Sequence, residues 1–91
     1  MIRVTGTLTC ATLEDAALVA VHLPDHIRLS RAEPGCLRFD VTATADPLVW
    51  ALDECFVDRD GLAAHQARTK ASPWFAHTRH LTRDFQTLET L

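Results

Sequence analysis

A Pro-Gly pair cuts this chain where a polar segment gives way to an alternating strand, and it constrains the order of elements on both sides. In Arg31-Ala-Glu-Pro-Gly-Cys-Leu-Arg-Phe-Asp40, Pro34 disfavours helix at Glu33, and Gly35 accepts the backbone angles of a tight exit. Leu37, Phe39, Val41 and Ala43 then alternate with Cys36, Arg38, Asp40 and Thr42, which predicts a strand over Cys36–Thr44. After Asp46-Pro47 a further strand runs from Leu48 to Val57. Leu48, Trp50, Leu52 and Phe56 share one of its faces with Glu54; Val49, Ala51, Cys55 and Val57 share the other with Asp53. A sheet covered by helices on one side needs only one apolar face. The second apolar face predicts a second cover, and the sheet of a partner molecule is the economical one.

The flanking segments complete the pattern. Ile2, Val4, Leu8 and Cys10 alternate with Arg3, Thr5, Thr7 and Thr9 in a first strand over Ile2–Cys10, where Gly6 marks a bulge or a close approach. Thr12-Leu-Glu-Asp15 approximates a capping box. Leu13, Ala16, Ala17, Ala20 and Leu23 predict the buried face of the helix that follows. Pro24 predicts a break near His22–Pro24 and a second helical piece to about Ala32. Asp58 caps a helix to about Thr69, and Ser72-Pro73 restarts one to about His80. A last strand lies within Thr82–Leu91. The order β-α-β-β-α-β predicts an α+β, ferredoxin-like antiparallel sheet with helices on one face.

Ninety-one residues imply one domain, 1–91, with a thin core. The formal charge of −3 and the lack of a basic cluster argue against nucleic acid as a partner. No run of 18 apolar residues calls for a membrane span, and the N-terminus reads as a strand rather than a signal peptide. Cys10, Cys36 and Cys55 are odd in number and lack a Cys-x-x-Cys pair, which predicts reduced thiols and a cytoplasmic setting.

The acidic residue, Pro-Gly turn and Cys-Leu-x-Phe strand at 33–39, Trp50-Ala-Leu-Asp-Glu-Cys-Phe-Val-Asp58, Gly61-Leu62-x-x-His65-Gln66 and Ser72-Pro73-Trp74-Phe75 follow one another at spacing that resembles the antibiotic biosynthesis monooxygenase domain family. The resemblance implies a homodimer whose two sheets close into an α+β barrel. It also implies a pocket between each sheet and its helices, and oxidation of a small aromatic or quinol-like substrate by O2 with no metal, flavin or other cofactor. The chain departs from parts of the family. It contains no tyrosine, and it reproduces neither the Asn-Trp-His set of haem-degrading relatives nor the Asn-Trp-Tyr set of polyketide oxygenases. Rival readings are a non-catalytic ligand-binding or stress-response dimer, a lactone isomerase-type enzyme and a haem-degrading enzyme.

Oxygenation without a cofactor needs a base that turns the substrate into an electron-rich anion, donors for its oxygens, and an apolar pocket. His65 titrates near working pH and is the first candidate base; its structural alternative is a backbone contact at the core edge. Glu54, a carboxylate on an apolar strand face, is the second; its alternative is an ion pair with Arg38 on the neighbouring strand or with the partner subunit. Trp50, Trp74 and Phe75 are candidate walls for a flat substrate, or simply core. Arg38 completes the candidate substrate contacts. His22/His26 and His77/His80 have helical metal spacing but no third ligand, so no metal site is expected.

Overall fold

The computed structural model describes residues 1–90. Its elements are β1 (Ile2–Thr9), α1 (Leu13–Arg31), β2 (Cys36–Ala43), β3 (Val49–Phe56), α2 (Arg59–Lys70), α3 (Pro73–Thr78) and β4 (Thr82–Glu89). Leu91, the outer limit predicted for the last strand, lies outside the described residues. The four strands form one antiparallel sheet in the order β2-β3-β1-β4, as the ferredoxin-like pattern requires, and the helices cover one face. On that face Ile2, Val4 and Leu8 of β1 and Leu52 and Phe56 of β3 are buried. The caps fall where predicted: Thr12 accepts from the Asp15 N–H, Asp58 from Gly61, and Ser72 from Phe75.

Two expectations about α1 are corrected. The helix runs unbroken through Pro24. Proline removes only the bond to the carbonyl of Ala20, and both residues lie on the exposed side, where water can satisfy that carbonyl. The buried stripe also shares only part of the aliphatic spacing: Leu23 is buried and Ala16 packs on the core, while Ala17 and Ala20 are exposed. It consists of Val19, Leu23, His26 and Ser30, while Leu13 is 70% exposed.

Leu37 is a further correction. The β2–β3 register slips between Cys36 and Arg38, so that Cys36 faces Phe56 and Arg38 faces Cys55. Leu37 takes the extra position of this bulge and is exposed.

Two close backbone approaches set the geometry around the site. Gly6 has φ +153°, and a Cβ there would stand 2.0 Å from the carbonyl oxygen of Asp84 on β4. A Cβ on Gly35 would stand 2.8 Å from Cα of Gly61. The turn before β2 therefore packs directly on the first turn of α2. That contact brings Glu33, just upstream of the turn, against His65, one helical turn beyond Gly61.

The second face of the sheet is open in the protomer. It carries the threonines of β1, with Val49, Ala51 and Cys55 of β3, and a bridge in which Asp53 pairs with Arg3 at 3.1 Å and with Arg38 at 3.2 Å. Among the described residues no helix is long and apolar enough to cross a membrane.

Candidate active site

A cavity of about 350 Å³ lies between the covered sheet face and the helices. Val4, Leu8, Phe39, Val41, Leu52 and Leu62 form much of its wall, with Trp74, Phe75 and Phe85. His26, Glu54, His65, Thr69, Lys70 and Arg83 are among its polar groups.

Glu54 reaches it because β3 alternates: Trp50, Leu52, Glu54 and Phe56 all point to the helix side, and Glu54 is paired in register with Val4 and Phe39. Only 7% of the residue is exposed. Burial disfavours the charged carboxylate, and the charges of Glu33 and Asp53 add to the effect, raising its pKa from 4.5 to about 7.

His65 comes from the inner face of α2 and is 6% exposed. Its Nδ1 lies 2.8 Å from Oε1 of Glu33. A carboxylate only accepts, so Nδ1–H donates, and in the neutral ring Nε2 keeps its lone pair. Nε2 is 3.4 Å from Oγ1 of Thr69 and 3.7 Å from Oε1 of Glu54. Burial lowers the pKa of His65 and Glu33 partly offsets this, so the imidazole is held neutral yet can take a proton. Glu33 is itself fixed from its far side: Nε of Arg68 donates to its Oε2 at 2.6 Å, and Nη2 of Arg68 donates to Oγ of Ser30 at 2.7 Å. The sequence Ser30–Arg68–Glu33–His65 is a rigid support ending in a lone pair beside the Glu54 carboxyl.

The neighbouring rings complete the apolar setting. His65 packs against Phe39 and Phe56, with centroids 5.2 and 4.9 Å away. His26 stacks on Trp74 at 4.7 Å and stands 5.9 Å from His65. Burial, aided by the charges of His65, Arg68 and Arg83, drives the His26 pKa down to about 3, so this imidazole stays neutral.

Of the residues singled out from the sequence, the structure brings His65, Glu54, Trp74 and Phe75 to one cavity. It does not bring Arg38 or Trp50 there. Arg38 lies across the sheet, bound to Asp53, because Glu54 shares its face with Phe39 and strand alternation puts Arg38 on the opposite one. An Arg38–Glu54 ion pair is thereby corrected. Trp50 packs on the core cluster of Leu8, Cys10, Val19 and Leu23. The histidine pairs separate: His22 stacks on His77 at 4.1 Å, and Nε2 of His80 meets Asp15 at 2.9 Å.

Sequence reasoning missed Glu33, Arg68, His26 and Arg83. Glu33 and Arg68 stand 35 positions apart, so no local pattern joins them. The one available signal is that Arg68 follows His65 by three residues, on the same side of a helix.

A family model described as antibiotic biosynthesis monooxygenase matches residues 1–80. No match was found among curated proteins. Solved structures are similar over nearly the whole chain. A Nitrosomonas europaea protein provisionally assigned as an antibiotic biosynthesis monooxygenase is 23% identical with a TM-score of 0.77, covering 100% of this chain and 99% of its own. Rv0793 from Mycobacterium tuberculosis is 22% identical with a TM-score of 0.76, covering 99% and 94%. SnoaB, a cofactor-independent oxygenase from Streptomyces nogalater, is 14% identical with a TM-score of 0.80, covering 99% and 92%. At these identities the likeness is one of fold.

Proposed function

The chain belongs to the antibiotic biosynthesis monooxygenase family, and on that premise we propose that it is a cofactor-independent monooxygenase acting on a small aromatic or quinol-like molecule. The observation that carries this reading is the lone pair of His65, held by Glu33 and facing Glu54 across 3.7 Å inside an apolar cavity. That separation is too long for a direct hydrogen bond, and a substrate hydroxyl or activated C–H placed beside the pair can be reached by both groups. His65, or Glu54 once ionised, removes the proton; the electron-rich anion then reduces O2. For a hydroquinone the balance is one O2 in and one water out, with a hydroxyquinone as product. Trp74 and Phe75 flank the ring, and the family relation supports a homodimer closed over the open sheet face.

Oxygen uptake with a panel of hydroquinones and anthrones tests the reading. Turnover that falls by about 10²-fold or more in His65→Ala supports it. Absence of turnover with compounds that bind, or unchanged turnover in His65→Ala, refutes it. Turnover under strict anaerobiosis would instead favour an isomerase on the same scaffold.

A further inference from the structure

Six of the nine Lys and Arg residues form salt bridges: Arg3, Arg28, Arg31, Arg38, Arg59 and Arg68. Lys70, Arg79 and Arg83 form none among the described residues, and two of these three, Lys70 and Arg83, border the cavity. Arg83 is the informative one. Its guanidinium donates only to neutral acceptors, the carbonyl oxygen of Thr78 at 2.8 Å and Oγ1 of Thr78 at 3.0 Å, and lies 5.6 Å above the Phe75 ring. Burial lowers its pKa with no opposing contribution, so its desolvation is uncompensated by any protein anion. Two of its five N–H groups are used and the others have no partner.

His26 lies within electrostatic reach of Arg83 and is only 5% exposed. Its Nδ1 makes no hydrogen bond. A buried imidazole nitrogen without a partner is unusual in a native structure. The His26 ring borders the cavity that holds His65 and Glu54, but Nδ1 itself has no surface open to it, so the free donors on this wall are those of Arg83.

We propose that the Arg83 side of the cavity receives a carboxylate, so that the molecule presented to His65 and Glu54 is a hydroxyaryl carboxylate rather than a neutral quinol. The inference rests on the reading of this cavity as the substrate site and specifies the substrate class. A carboxylate accepts charge-assisted bonds from the free guanidinium N–H groups of Arg83. Glu54 disfavours a second carboxylate beside it once ionised, so the ring is bound with its carboxylate on Arg83 and its hydroxyl toward the base. Trp74 and Phe75, on the wall of the same cavity, stand beside that ring. A neutral quinol leaves Arg83 as unpaired as it is now, which makes the acid the preferred ligand.

The test is equilibrium binding, by calorimetry and tryptophan fluorescence, of 4-hydroxybenzoate and 6-hydroxy-2-naphthoate, each against its methyl ester. The wild type should bind at least one acid about tenfold or more tighter than its ester. Arg83→Gln should reduce that preference to near unity, and Arg83→Lys should retain part of it. Esters that bind as tightly as the acids, no binding of either acid, or a preference that survives in Arg83→Gln would overturn the proposal. Because Arg83 also holds Thr78, each variant is checked by thermal unfolding, and the wild-type comparison decides the matter even if Arg83→Gln does not fold. The readout needs no turnover. Acid-selective binding without oxygen uptake refutes the oxygenase reading alone; oxygen uptake with indifferent binding refutes the carboxylate site alone.

Discussion

Replacing Glu54 by glutamine should stabilise the protein, and by an amount that grows with pH. The carboxyl has a folded-state pKa of about 7 against 4.5 when solvated. Its folded pKa is raised, so its contribution to stability is complete below pH 4.5 and is lost as pH rises through about 7. At 1.36 kcal/mol per pH unit, the ionised group weakens the fold by about 3 kcal/mol at pH 8 and above. Glutamine has nearly the same shape and no proton to lose. Urea unfolding of both proteins at pH 4, 6 and 8.5, at one fixed protein concentration, should give a variant-minus-wild-type difference that rises by about 3 kcal/mol across the series. With a denaturant slope of about 1–3 kcal/mol per molar, the pH 8.5 midpoint moves up by about 1–3 M relative to the pH 4 comparison. The titrations of His26 and His65 occur in both proteins and largely cancel. A difference that is independent of pH, or one that turns against glutamine as pH rises, would refute the idea that burial holds Glu54 near neutrality. The same variant should lose activity, as expected where a buried acid is retained for chemistry at the expense of stability.

Three further outcomes follow from the same geometry. Glu33→Gln, which removes the anion that fixes the His65 tautomer, should lower kcat by about 10²-fold with a smaller change in KM, and should displace the pH–rate profile; an unchanged profile would show that Glu33 does not act through His65. His26, neutral with a pKa driven from 6.5 to about 3, contributes stability that is present above pH 6.5 and is lost as pH falls toward 3. The total is about 4–5 kcal/mol, so His26→Phe should flatten the acid limb of stability measured by urea unfolding between pH 6.5 and 4. Gly6→Ala forces a Cβ to within 2.0 Å of the Asp84 carbonyl oxygen at φ +153°; a loss of about 3 kcal/mol or more is expected, seen as a fall in Tm of about 10 °C or more, and a Tm unchanged within 2–3 °C would contradict the β1–β4 approach.

The strands and caps were legible because each rests on local physics. Period-2 alternation in β1 and β3, the side-chain oxygens of Asp58 and Ser72, and the Pro34-Gly35 exit all act within a few residues. Glu54 was legible for the same reason: a carboxylate in the row Trp50, Leu52, Phe56 contradicts its own pattern. The pattern slips only at the start of β2, where the extra residue at Leu37 turns Cys36 to the core side; Arg38 keeps the face its alternation gives it, and misses Glu54 because the cross-strand register, which no local pattern fixes, pairs Glu54 with Phe39.

What remained hidden on α1 and in the support of His65 has a common cause. A search for aliphatic spacing on α1 selects Leu13, Ala17 and Ala20, because it counts His26 and Ser30 as interruptions. Both are buried, and both serve the cavity. Ser30 accepts from Arg68, which holds Glu33; His26 stacks on Trp74 at the wall, its Nδ1 buried and unpartnered. The helix turns its polar residues inward here because their neighbours arrive from distant elements: Arg68 of α2, 38 positions from Ser30, and Trp74 of α3, on which His26 stacks. A polar residue within a buried stripe therefore marks the place where an element was shaped by the site rather than by the core. By that criterion His26, which stacks on Trp74 at the cavity wall, belongs to the site rather than to the core, and it ties the fold of α1 to the shape of that wall.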